Sequence, residues 1–324
     1  MNRDIGVDLV KFFAALLITN SHMQLLYGDY DYMATGGSIG DAMFFFCSGY
    51  TLFLKPIKGN NFFNWYKRRI NRIYPSVFAV AIIGSLIWGV PNDIVDIITH
   101  GGNNLPGEGW FIPCIMIYYI ALFVVGSFFL TKIWMLFVAV VVGTAVWYYS
   151  GITHYEIYCD YIRWLLFFDF MLLGSKIGMM KDQIRIRPIS DAILLFLNIA
   201  VFYVIFFLSL KDDRMSNFQF FTIFPLLGTI YYFYKVCSSN WLKKIYNSRI
   251  GYFVIRFVGG LTLEIYLVQN YLFTDMLNNV FPLNLVIMIV VIVIGAYIAR
   301  CFARILAQTF KSEPYSWNKI ISLY

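Results

Sequence analysis

Charge is what this sequence has least of: 13% of its 324 residues are Asp, Glu, Lys or Arg, against roughly a quarter in an ordinary soluble domain. With 60% hydrophobic residues and a mean hydropathy of +0.68, the chain has too few polar side chains to face water on a folded surface. A soluble globule is therefore excluded, and lipid is the solvent that fits. Cysteine offers no framework either. Cys47, Cys114, Cys159, Cys237 and Cys301 are scattered with no CxxC pair, which speaks against a disulfide scaffold or a zinc knuckle, and no metal is expected. There is no low-complexity tail, no long linker and no internal repeat. One integral-membrane domain over 1–324, with no fused soluble domain, is the expectation. The first apolar run carries charges and lacks a small-residue cleavage site, so it reads as a first span rather than a removable signal.

What the sequence does have is apolar runs, at 5–27, 39–57, 74–90, 109–130, 133–150, 161–178, 189–209, 218–236, 250–273 and 284–306. Each is close to the ~20 residues that cross ~30 Å of hydrocarbon as a helix. Helices are required because lipid cannot satisfy backbone N–H and C=O groups, and the runs lack the alternation of a membrane barrel. The reading is an all-α, polytopic transmembrane bundle of about ten spans.

The formal charge of +7 would suggest nucleic acid in a soluble chain; here it is read by position, and no nucleic acid is expected. Basic residues cluster at 55–72, at Lys176/Lys181/Arg185/Arg187, at Lys235/Lys243/Lys244/Arg249 and at Arg300/Arg304/Lys311/Lys319. Ten spans put all four clusters on the side of the N-terminus. The opposite loops hold Asp29/Asp31, Asp93/Asp96, Glu156/Asp160 and the mixed run 211–214. The positive-inside rule then places both termini in the cytoplasm of a multi-pass inner-membrane protein.

Ionisable groups within spans are the natural place to look for function. Asp8 and Lys11 lie three apart on one face of the first span, and His22 follows eleven residues later on nearly the same face, roughly 16 Å further along a helix. Asp8 and Lys11 have two readings, an ion pair that fixes the helix or part of a site. His22 either makes an interhelical hydrogen bond or does chemistry; His100 and His154 fall in loops and read as ordinary exposed residues. Asn20 and Ser21 flank His22 and are placed to orient it or a substrate. Ser48-Gly49 in the second span permits close helix approach. In the run 67–75, Arg69 and Arg72 share a face at the membrane border, suited to phosphate oxygens; a stop-transfer anchor or contact with anionic lipid is the plainer reading. Glu108 opens the fourth span, either orienting an imidazole or as an anion at a helix N-terminus. Glu264, Gln269 and Arg256 are polar groups of the ninth span, and Glu264 is deep enough to require a partner that no spacing identifies.

Taken together, these segments resemble the membrane acyltransferase family 3. The opening VDLVKFFAALLITNSH (7–22), the segment FFFCSGY (44–50), the run RRINRIYP (68–75), GWFI (109–112) and LTLEIYLVQ (261–269) match its motifs in order over nearly the whole chain. Two positions depart. Lys11 stands where the family usually has arginine, keeping the charge but losing the planar fork. Gln269 stands where the late segment often ends in histidine, which removes any proton transfer there.

The resemblance implies an O-acyltransferase that moves an acyl group, usually acetyl, from an acyl-CoA donor to a hydroxyl of a cell-surface carbohydrate in a bacterial envelope. It implies Arg69 and Arg72, with Arg68, at the donor's phosphates, and His22 as general base or acyl carrier. Lys11 becomes a cationic partner for the donor or for Asp8, and Glu108 the group that orients His22. Glycan-assembly proteins are the partners such a role implies. The alternatives are a transporter or flippase for a glycan or small anion, and a non-catalytic membrane component. A transporter would show repeated, Gly/Pro-broken helices.

Overall fold

The computed structural model describes residues 4–91, 93–100, 109–151, 156–158, 161–211, 214–309 and 314–323. Among them every regular element is helical. In chain order the α-helices are α1 (Ile5–Ser21), α2 (Gln24–Tyr27), α3 (Gly37–Leu52), α4 (Phe62–Trp88), α5 (Ile94–His100), α6 (Phe111–Phe128), α7 (Ile133–Tyr149) and α8 (Ile162–Met179). They continue with α9 (Pro188–Lys211), α10 (Ile223–Cys237), α11 (Asn240–Asn247), α12 (Arg249–Gly260), α13 (Thr262–Leu272), α14 (Leu283–Thr309) and α15 (Trp317–Ile321).

Six of the described helices are long and apolar enough to cross a membrane, and the number rises to eight if two bent pairs each count as one span. One pair is α1 with the segment Gln24–Met33, bent by 66°, and the other is α12 with α13, bent by 73°. The segments expected at 39–57 and 161–178 are helical but fall short of an ordinary span. α3 has 16 residues, and α8 carries Arg163, Asp169 and Lys176 within its 18. The chain is thus an all-α polytopic membrane protein with six to eight apolar helices.

Two compact units divide the chain. The first comprises 1–14, 38–59 and 122–252. In it α3 lies closely against α8. A Cβ placed on Gly49 would run into the carbonyl oxygen of Met171, and one on Gly174 or Gly178 into the carbonyls of Phe46 or Tyr50. The backbones touch because three glycines face each other's helix, the close approach that Ser48-Gly49 foreshadows and that a small-xxx-small pair such as Gly174/Gly178 supplies. Elsewhere in this unit α9 packs on α10, with Asn198 filling the space over Gly228.

The same helix pair holds a buried ion pair. Lys235 Nζ donates to Asp191 Oδ1 at 2.5 Å, with the side chains 10% and 2% exposed, and Asp191 Oδ2 accepts the backbone N–H of Arg187 at 2.6 Å. The rings of Tyr231 and Tyr232 lie 5.4 Å from the ammonium. Lys235 reads in the sequence as the first cation of an inward-side basic cluster, at the end of the run 218–236; in the fold it is paired with Asp191.

The second unit comprises 15–37, 60–121 and 253–324. Its centre is the trio α4, α13 and α14, packed pairwise. Ser76 bonds Glu264 and Gly84 lies against the ring of Tyr271, so α4 and α13 run in the same direction. Gly295 meets Leu272 and Gly260 meets Arg300, so α14 runs the opposite way. α15 folds back on α14, where Tyr297 Oη and Arg304 Nη1 donate to the carbonyls of Ile321 and Ile320 at 2.8 and 2.9 Å.

Gly174→Leu is expected to separate α3 from α8 and to abolish recovery of folded protein in size-exclusion chromatography, because no rotamer avoids the Phe46 backbone. Asp191→Ala is expected to lower stability by about 3 kcal/mol, since it strands a buried ammonium; thermal unfolding in detergent measures it, and Asp191→Leu with Lys235→Met should recover most of the loss.

Candidate functional site

α1 carries Asp8 and Lys11 and stops at Ser21; the chain resumes as α2 only at Gln24. His22 therefore sits at a break in the first apolar segment rather than inside a continuous span as expected. Its N–H closes the last turn on the carbonyl of Thr19 at 3.2 Å, and its side chain is half-buried. The break is held by side-chain amides. Asn20 Nδ2 donates to the carbonyls of Met33 and Thr35 at 3.0 and 2.9 Å, and its Oδ1 accepts from Tyr27 Oη at 2.6 Å. Asn284, fully buried at the start of α14, donates to the carbonyl of Leu26 at 2.8 Å. Asn20 thus shapes the loop after His22, and Ser21 Oγ donates to the carbonyl of Ile18 at 2.8 Å.

The arginine row lies in the same unit. α4 begins under an Asn61 cap, whose side chain accepts the N–H of Asn64 at 3.1 Å. Arg68 and Arg72 are exposed and Arg69 is half-buried. The Arg69 guanidinium stacks 5.1 Å above the Trp65 ring, and Trp65 is braced edge-on by Tyr119 at 6.2 Å. The neighbouring charges of Arg68 and Arg72 act on Arg69, and its Nε is buried with no hydrogen-bond partner among the described residues. Three guanidinium groups thus share this end of α4, one of them over an indole ring, and planar guanidinium forks match phosphate geometry. Pro75 follows within the helix and leaves the Asn71 carbonyl without its usual helical donor.

Next to Pro75, Ser76 Oγ donates to Glu264 Oε1 at 2.7 Å, both residues being buried. This is the partner that Glu264 requires and that spacing could not reveal. Glu264 also acts electrostatically on Arg300 of α14, whose Nη1 lies by Gly260 at the 73° bend. The Ser76–Glu264 bond ties α4 to α13, and the charge of Glu264 is felt by Arg300 of α14. The sequence signal for it was the lone carboxylate in an apolar span.

Asp8 and Lys11 belong to the first unit. Asp8 is buried and accepts from Tyr246 Oη at 3.1 Å, and both charges act on the buried Cys47. A structural role for Asp8 is thus visible. Glu108 and His154 lie outside the described residues, as does the side chain of His100. What stands just beyond Glu108 is α6, whose first residue, Phe111, has its ring 5.3 Å from Tyr266 of α13.

No curated protein and no solved structure matches the chain. A family model described as an acyltransferase domain matches residues 4–301, a stretch that takes in the helix break at His22, the arginine row, and Ser76, Glu264 and Arg300. The chain therefore belongs to this family, the membrane acyltransferases of family 3.

Proposed function

We propose that the protein is an O-acyltransferase that moves an acyl group, acetyl in the simplest case, from an acyl-CoA to a hydroxyl of a cell-surface carbohydrate. The observation that carries this reading is the presence, in one compact unit, of an imidazole at a helix break and a row of three guanidinium groups, one of them over an indole ring. In the arrangement proposed, ten spans cross a bacterial inner membrane as a single domain with both termini in the cytoplasm, where the donor is made. The acceptor arrives at the outer face, with glycan-assembly proteins as its suppliers.

Arg69 and Arg72 hold the donor's phosphates and Arg68 adds to the field. The half-buried Arg69 is the anchor of the set, because its fork is pre-oriented by Trp65 and loses little freedom on binding. His22 takes the proton of the acceptor hydroxyl as its oxygen attacks the thioester carbonyl. The step forms the acyl–oxygen bond, breaks the carbon–sulfur bond, and returns the proton through His22 to the departing thiolate. Glu108 orients the imidazole, and Lys11 with Asp8 supplies a further cation–carboxylate pair on α1. Along α14, the stretch from Asn284, which holds the loop after His22, to Arg300 spans roughly 24 Å. A long, extended donor is the kind of substrate that bridges such a distance.

Purified protein in liposomes, supplied with radiolabelled acetyl-CoA and surface glycans from its own cell, is expected to label glycan. His22→Ala should reduce the rate at least ~100-fold, the usual contribution of a positioned base. Absence of transfer by folded wild-type protein would reject the reading and leave glycan transport as the one to test. Arg69→Ala is expected to raise the KM for acetyl-CoA by about tenfold or more, the worth of a hydrogen bond to a charged group, with a smaller effect on kcat. An unchanged KM would remove Arg69 from the donor site.

A further inference from the structure

Gln269 is fully buried (0% exposed), yet neither its amide nitrogen nor its amide oxygen has a hydrogen-bond partner among the described residues. Its neighbours in sequence, Tyr266, Leu267 and Val268, are buried as well. Five residues earlier on α13, Glu264 accepts from Ser76 of α4, so the neighbouring helix supplies a partner to a buried polar group of this helix. A carboxamide with both ends unpaired is disfavoured relative to leucine or methionine of similar size. Its presence calls for an occupant that offers both a donor and an acceptor.

The position of Gln269 narrows the choice. α4 and α13 run in the same direction between two contacts, Ser76 with Glu264 and Gly84 with Tyr271, and Gln269 falls between them. Arg69 precedes Ser76 by roughly 10 Å along α4, and Gln269 follows Glu264 by roughly 7 Å along α13. The carboxamide thus lies roughly 18 Å beyond the guanidinium row, measured along the helix axes, and on the way toward the far ends of these helices. An acyl-CoA donor whose phosphates rest on Arg69 and Arg72 carries secondary amides in the pantetheine arm that separates those phosphates from the thioester.

We propose that Gln269 pairs with an amide of that arm and so sets how far the thioester reaches past the arginine row. The proposal rests on the donor reading given above. Gln269 is a positioning residue in this scheme: it recognises the arm and touches no reacting atom.

The test compares two ligands on the full-length protein in lipid nanodiscs: coenzyme A, and adenosine 3′,5′-bisphosphate, which carries phosphates but no arm. Gln269→Leu is expected to fold with unchanged or higher thermal stability, to bind coenzyme A about tenfold more weakly, and to bind the bisphosphate as the wild type does. Gln269→Met, an unbranched replacement, should behave alike and serves if the leucine variant fails to fold. Unchanged coenzyme A binding by either variant would overturn the assignment and leave a buried water as the partner of the amide. An equal loss for both ligands would also overturn it, since that marks a general distortion. If wild-type protein binds neither ligand, the donor reading itself fails, a result distinct from wild-type binding that the substitution leaves intact.

Discussion

Hydrocarbon offers no hydrogen bonds, so each polar group carried into an apolar helix must find its partner inside the protein. The interior chemistry of this chain follows from that constraint. Asp191 meets Lys235 and a backbone N–H, Asp8 meets Tyr246, and Glu264 meets Ser76. Each of these joins helices that the apolar surface alone would let slide. Packing between lipid-facing helices lacks the hydrophobic drive available in water, and the polar pairs, with the glycine contacts of α3 and α8, supply the specificity that drive would otherwise give.

The constraint also explains where the chain departs from simple spans. Breaking a helix frees backbone groups that must be satisfied again. The break after α1 is tolerated because Asn20, Asn278 and Asn284 donate to the carbonyls of the loop that follows. At the second break Leu261 N–H still reaches the carbonyls of Phe257 and Val258. In both places an irregular backbone lies next to residues with chemical potential, His22 in one case and Glu264 with Arg300 in the other.

The helical class was readable from apolar runs alone, since runs of seventeen to twenty-four residues with few charges have few alternatives. The breaks were not read, because neither Thr19–Met23 nor Phe257–Thr262 contains proline, although the polar Asn20-Ser21-His22 and the Gly259-Gly260 pair were the local signals on offer. The arginine row was legible as a local cluster, and the stacking of Arg69 on Trp65 is a contact one turn away, within reach of sequence reasoning. The Ser76–Glu264 bond joins residues 188 apart, a long-range fact that only tertiary packing creates. Lys235 is a similar case: counted by charge it belongs to an inward-side basic cluster, whereas a carboxylate on the neighbouring helix pairs with it.

The glycine contact between α3 and α8 has a mechanical consequence. Ordinary helix interfaces accommodate small shear by rotamer changes in the side chains that lie between two backbones. At Gly49, Gly174 and Gly178 there is no such layer, because main chain rests on main chain. These two helices can tilt or translate only together, as one stiff plate.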